Sequence, residues 1–273
     1  MVGKIFAAFT LLALLPFGAH AALSPNASTV LITGANRGIG FELARQYAEA
    51  GWNVIATTRR PADDKGVADL RALAAKHPQV AIERIDVTDT AMIRGVAAKY
   101  ADRPIDVLIN NAANVEQTLA ADVAILNQPY DQIDFDAART DFDVNTLGPM
   151  RMIQAFMPAV MRSRQKKIVN VTSLAGSFGR GMPGSMGMNY GASKAALNKY
   201  SVLLSKAKDV QQQGVIVALV QPIFVASKPD MKTNERAAPV DQEIAKLRKL
   251  IERMTVEHSG RITNFTTGET DPF

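Results

Sequence analysis

The 273-residue chain has no cysteine and only three histidines, His20, His77 and His258. Without thiols there is no disulfide scaffold, no zinc–thiolate centre and no thiol nucleophile. Histidines so widely scattered argue against a polyhistidine metal site. An excess of charge is also lacking. Lys plus Arg number 31 against 26 Asp plus Glu, a net +5 spread along the chain, so nothing points to nucleic acid. What is present is ordinary for a globular protein: 47% hydrophobic and 21% charged residues, enough apolar surface to exclude disorder as the main state. The length suits one large domain or two small ones.

Residues 1–21 differ from the rest. Lys4 is their only charge, an apolar run extends from Ile5 through Phe17, and Ala19-His20-Ala21 follows. This is the order of a secretory signal cleaved after Ala21, with a core shorter than the ~20 apolar residues that span a bilayer. The expectation is export, to the periplasm or the medium, through a cleaved leader at 1–21, leaving 22–273 as the mature domain. An uncleaved membrane anchor and a buried first helix are the alternatives.

After Ala22, β-rich runs alternate with helical spacing. Strands are expected at residues 30–32, 54–57, 80–85, 105–109, 167–171 and 215–220. Helices are expected at 39–50, 67–75, 91–100, 136–161 and 190–210. Near-continuous apolar strands separated by helices predict an α/β fold, a doubly wound parallel sheet covered on both faces, in a single domain. Ile244, Leu247, Ile251 and Met254 predict a late amphipathic helix packed on the sheet, and residues 260–265 a last strand.

The first strand runs into Thr33-Gly34-Ala35-Asn36-Arg37-Gly38-Ile39-Gly40. Gly34 permits a tight turn, Gly38 lets the backbone approach a pyrophosphate, and Gly40 lets the next helix pack close to the sheet. That helix's N-terminus, from Asn36 to Gly40, supplies N–H donors to phosphates. An acid ending the second strand would bind a ribose 2′-OH, but this chain has Thr57-Thr58-Arg59-Arg60. Arg59, helped by Arg37, suits a 2′-phosphate, so NADP is expected before NAD. The competing view is that Arg59 and Arg60 are solvated charges at a strand end.

The ordered set of motifs resembles the short-chain dehydrogenases/reductases over nearly all of residues 29–225. After the glycine turn come Asp86-Val87, Asn110-Asn111-Ala112-Ala113, Asn145, Ser173, and Tyr190-Gly191-Ala192-Ser193-Lys194. The resemblance implies a Rossmann-type fold and puts Asp86 on the adenine amino group. It implies cofactor contacts from Val87, Asn111, Ala112, Pro222 and Phe224. It also implies a homodimer or homotetramer built through helices 136–161 and 190–210. Three departures stand out. Ala113 replaces the usual Gly, Ile223 follows Pro222 where Gly is common, and Ser227 stands where Thr is common.

Tyr190 and Lys194 are four residues apart, one helical turn, and share a face. An unperturbed phenol with a pKa about 10 is a poor base at neutral pH, so the neighbouring ammonium and an oxidised nicotinamide are expected to lower it. Lys194 would also hold the nicotinamide ribose. The resemblance gives Ser173 the role of polarising the substrate oxygen, and Asn145 that of holding a water on a proton path from Lys194. Ser173 is preferred to Ser177 because it ends strand five, where such sites open. Met182, Met186, Met188 and Phe224 suggest an apolar pocket wall, which Arg180 could reach.

The expectation is an NADP-dependent carbonyl reductase or alcohol dehydrogenase acting on a small molecule. A non-catalytic NADP-binding sensor or scaffold is one alternative. A dehydratase or epimerase with no net NADPH use is another. Export sits uneasily with any of these, because free NADPH is expected to be scarce outside the cytoplasm.

Overall fold

The computed structural model describes residues 22–114, 130–179, 187–222, 225 and 238–271. Residues 1–21, where a leader is expected, and Arg180, Met182, Met186, Ile223, Phe224 and Ser227 lie outside the described residues. Among the described residues, eight strands form one sheet: β1 (Thr29–Ile32), β2 (Asn53–Thr58), β3 (Val80–Arg84), β4 (Val107–Asn110), β5 (Lys167–Val171), β6 (Ile216–Gln221), β7 (Ile262–Asn264) and β8 (Thr270–Asp271). Their order is β3-β2-β1-β4-β5-β6-β7-β8. All neighbours are parallel except β8, which runs antiparallel to β7.

The apolar strands make sense once the faces are separated. Val30, Ile32, Val54, Ala56, Val107, Ile109 and Val169 point into one buried cluster, together with Leu43 and Tyr47 of helix α1 (Gly38–Glu49), Leu70 of α2 (Ala68–Lys76) and Ile244, Leu247 and Ile251 of α8 (Val240–Arg253). Leu31, Ile55, Leu108, Ile168 and Val217 point the other way. They meet Ile93 of α3 (Thr90–Lys99) and Met152, Ile153 and Phe156 of α5 (Gly148–Met161). A period of two on strands covered on both sides makes the central positions apolar, and the few polar residues on the strands, such as Asn110 and Asn170, are buried with hydrogen-bond partners.

Three expectations need correction. The stretch 136–161 is not one regular helix. It divides into α4 (Phe135–Phe142), a π turn (Asp143–Leu147) in which the Gly148 N–H bonds to the Asp143 carbonyl, and α5. The stretch 190–210 also divides, into α6 (Met188–Ser205) and α7 (Lys208–Gln212). Ala207 between them is extended, with φ −63° and ψ 134°, and this redirection lets Val210 bury in the second cluster. A strand does form within residues 260–265, as β7, but it is not the last: β8 follows and pairs antiparallel with it at the sheet edge.

Candidate active site

The chain runs from β1 outward to β2 and β3 on one side, then returns to β4 on the other. The carboxyl ends of β1 and β4 therefore part at a crevice, the place where α/β sheets hold ligands. Gly34 leaves β1 with φ +67° and Gly38 opens α1 with φ +58°, both in the left-handed region. A Cβ on Gly40 would stand 2.3 Å from the Gly34 carbonyl oxygen, so only glycine lets helix and turn meet this closely. The amides of Gly38, Ile39 and Gly40 precede the first helical bond, Phe41 N–H to Arg37 C=O, and remain at the open N-terminus of α1.

The side chain of Asn111 braces this turn rather than facing outward. Its Nδ2 donates to the carbonyls of Thr33 (2.9 Å) and Gly34 (3.3 Å), while the amides of Asn111 and Ala112 donate to Thr33 Oγ1. Asn36 Nδ2 ties the turn to the Gly66 carbonyl at 3.1 Å. Beyond β2, Arg60 pairs with Asp64 at 3.2 Å. Arg59 is exposed, and its charge acts on Asp86 beyond the end of β3. Burial alone would raise Asp86, but hydrogen bonds from Thr88 and the charges of Arg59 and Arg84 carry it below the usual carboxylate range. Val87 turns inward, against the Cα of Gly148. Pro222 follows the end of β6.

The second half of the crevice is formed by β5 and α6. Ser173 caps a short 3-10 turn after β5, its Oγ accepting from Ala175 N–H at 3.3 Å. That loop lies directly on α6. A Cβ on Gly176 would come within 2.7 Å of the Lys194 carbonyl carbon. The close approach brings the Ser173 hydroxyl into hydrogen bonding with the Tyr190 phenol. Ser177, the other serine considered, is buried in the loop. Lys194 Nζ lies 5.7 Å from the centre of the Tyr190 ring and donates to the Val171 carbonyl at 2.9 Å.

Asn145 sits in the π turn, wholly buried. Its Oδ1 accepts from Asn114 N–H (2.7 Å), and its Nδ2 donates to the Asn114 carbonyl (3.0 Å) and to Ser193 Oγ (3.0 Å). The amide side chain is thus fully engaged in bracing and has no donor left for a water. Below this layer, Asn110 Nδ2 donates to Asn170 Oδ1 (2.8 Å), and Asn170 Nδ2 to Ser201 Oγ (2.9 Å), pinning β4, β5 and α6 together.

The electrostatics differ from the expectation that Lys194 would lower the tyrosine. Burial pushes the Tyr190 phenol up and the nearby Asp141 adds to this, outweighing the opposing hydrogen bond from Ser173. Burial also pushes Lys194 down to about 8, which weakens the positive neighbour on which the expectation relied. Asp141 itself was not legible as a site residue. It lies on α4, four residues before Asn145 and so on the same helical face, which is the one signal that would have found it. Asn114, which bonds both, belongs to no motif.

The short chain dehydrogenase family profile matches residues 28–238. The chain belongs to the short-chain dehydrogenases. A relative within the family is the 1-hydroxy-2-glutathionyl-2-methyl-3-butene dehydrogenase of Rhodococcus sp. strain AD45. It is 30% identical over 236 residues, covering 86% of this chain and 95% of the relative. A 3-oxoacyl-(acyl-carrier-protein) reductase of Staphylococcus aureus is 31% identical over 203 residues, covering 73% of this chain and 75% of the other. Among solved structures, an NADPH-bound carbonyl reductase from chicken fatty liver superposes with a TM-score of 0.74 at 26% identity, covering 90% of this chain and 99% of that one. The carbonyl reductase Sniffer of D. melanogaster superposes with a TM-score of 0.76, covering 90% of this chain and 100% of that one. At 22% identity this likeness shows the fold alone. The short-chain dehydrogenase fold, with its mostly parallel sheet in a single domain, is the one read from the strands.

Proposed function

We propose that this short-chain dehydrogenase moves hydride between NADP(H) and a small carbonyl or alcohol substrate, as a carbonyl reductase or alcohol dehydrogenase. The observation behind the reading is the convergence of Ser173, Tyr190, Lys194 and Asn145 beside the glycine turn, at the carboxyl ends of the strands. The turn fits a dinucleotide: Gly34 and Gly38 take left-handed φ, Gly40 lets the helix meet the turn closely, and the amides of Gly38 to Gly40 precede the first helical bond and would serve the phosphates. Arg59, rather than an acid, follows β2 and favours the 2′-phosphate of NADP. The carbonyl reductase from chicken, similar at 26% identity, is an NADPH complex.

When bound, the nicotinamide supplies hydride to a carbonyl carbon or accepts it from an alcohol carbon. The chain's own residues handle the oxygen. Ser173 donates a hydrogen bond to it and polarises the carbonyl. Tyr190 gives its proton to the same oxygen as the carbon is reduced, leaving an alcohol and a phenolate, and the reverse holds for oxidation. Lys194 would hold the nicotinamide ribose and balance the phenolate. Since the Asn145 side chain is occupied, a water relay from Lys194 would use its main-chain carbonyl. Pro149, four residues on, has no N–H to give to that oxygen. The test is NADPH oxidation with a panel of aldehydes and ketones under single-turnover conditions. Stoichiometric consumption supports the reading. Tight NADPH binding without consumption would leave a binding protein, and substrate conversion without net consumption a dehydratase or epimerase.

A further inference from the structure

Helix α4 buries the wrong residues for a plain amphipathic helix. Phe135 and Phe142 are 68% and 37% exposed, while Asp141 is 4% exposed. Hiding a carboxylate while leaving phenylalanines in water opposes burial energetics, so something else fixes the helix's orientation. Asp141 is held by Asn114, whose Nδ2 donates to Oδ1 at 2.8 Å. Asn114 is in turn locked to Asn145 through both its amide and its carbonyl, and Asn145 Nδ2 reaches Ser193 Oγ, which donates to the Tyr190 carbonyl at 2.7 Å. One connected frame therefore sets the buried acid against the face of α6 that bears Tyr190 and Lys194.

The charged and titratable groups around this point come from three elements. Asp141 comes from α4, Tyr190 and Lys194 from α6, and Ser173 from the loop after β5. Lys194 is 3% exposed, with the Val171 carbonyl as its hydrogen-bond acceptor and Asp141 as the opposite charge acting on it. We propose that Asp141 is the counter-charge of this site. It is a positioning residue that keeps Lys194 as an ammonium and Tyr190 as a phenol, so that the site rests in its proton-giving form, the one carbonyl reduction requires. This rests on the hydride-transfer reading above. The carboxyl of Asp141 sits above its ordinary range because of burial, held back by the Asn114 hydrogen bond and the Lys194 charge.

The sign of the effect does not depend on which proton leaves first. With Asp141 ionised, the protonated pair and its acid sum to zero charge. With a neutral residue they sum to +1, and a positive cluster loses its first proton at lower pH. In Asp141→Asn the side-chain oxygen still accepts from Asn114, so the frame is retained and only the charge goes. Two readouts are followed: the alkaline limb of kcat/KM for NADPH-dependent reduction, and the first proton loss of the pair by isotope-edited NMR of Tyr190 and Lys194 without substrate. Both are expected to move down by about one pH unit in Asp141→Asn. Asp141→Glu, which restores the charge, is expected to return most of the shift. Should Asp141→Asn prove insoluble, Asp141→Ser removes the same charge and carries the same expectation. An unmoved first proton loss, with NADPH affinity intact, overturns the proposal, as does an equal shift in Asp141→Glu. A parent that reduces no carbonyl overturns the functional reading instead, while the NMR titration still decides whether Asp141 governs the pair.

Discussion

The glycine turn follows β1 and the Ser173–Tyr190–Lys194 cluster lies beyond β5, with β4 between the two strands, yet they hold their shapes by different means. The turn is made of main chain: two positive φ angles, a Cα pressed against a carbonyl at Gly40, and amides ahead of the first helical bond. The cluster is made of side chains: the buried Lys194 and Asp141, and the phenol of Tyr190, on which Ser173 acts by hydrogen bonding and Asp141 by charge. Damage to the first is steric and should look the same at every pH. Damage to the second is electrostatic and should appear in pH profiles. Cofactor affinity and turnover are thereby separable by mutation.

The largest expected effect falls on the cluster. Tyr190→Phe keeps the ring and removes the hydroxyl, so kcat should fall about 10²–10⁴-fold. NADPH affinity, measured by fluorescence, should hardly change, because the phosphates would be held at the glycine turn rather than at Tyr190. Near-full turnover in this variant would remove Tyr190 from the proton path. At the turn, Gly40→Ala puts a methyl 2.3 Å from the Gly34 carbonyl oxygen and 2.5 Å from Asn111 Nδ2. Overpacking of about 1–3 kcal/mol should weaken NADPH binding roughly 5- to 150-fold, with no pH dependence. Calorimetric titration at two pH values tests this, and a loss confined to one of them would merge the two regions that the comparison separates.

Arg59→Asp should then reverse cofactor preference. Losing a charge-assisted contact to the 2′-phosphate costs on the order of 1.5–3 kcal/mol, about ten- to a hundredfold in affinity. Equal binding of NADPH and NADH by the unaltered protein would contradict the role of Arg59. The smallest effect concerns stability. The folded pKa of Lys194, about 8, lies below the ordinary 10.5, so the cost of burying the ammonium is present in full below about pH 8. Between the two values the unfolded chain binds the extra proton, and stability rises with pH. Against Lys194→Met, the unfolding free energy of the parent should therefore gain on the order of 3 kcal/mol from about pH 7 to about pH 10.5, read from urea titrations. A constant difference across that range would mean that Lys194 is not held in a desolvated site.

The strands and the motif residues were legible because both follow rules local to the sequence. A run such as Val30-Leu31-Ile32 has no polar position, and Tyr190 and Lys194 are one helical turn apart. Less legible were features that depend on what packs across a gap. Asp141 is one acid among several in a long helical stretch, and its local signal is the spacing of four residues to Asn145; that α4 turns this face to α6 is set by packing. The direction of the phenol was hidden for the same reason: burial, a property of the packed chain, raises it, and Asp141 adds to this against the hydrogen bond from Ser173. The break before Lys208 is set by the need to bury Val210, and β8 is a two-residue strand with no apolar pattern.

The π turn at Asp143–Leu147 has a consequence for how this stretch tolerates change in length. A bond from Gly148 N–H to the Asp143 carbonyl spans five residues, where an α-helix spans four. Each residue of an α-helix rotates the chain by about 100°. The widened turn thus acts as a phase step between two helices with different partners: α4 lies on α6, while α5 lies on α3 and the sheet. Deleting one residue there would restore an unbroken helix and swing one half's face by about 100° relative to the other. Either Asp141 and Asn145 would leave the α6 side, or Met152 and Phe156 would leave the core. A one-residue deletion in this turn should therefore be worse tolerated than several residues removed from an exposed loop.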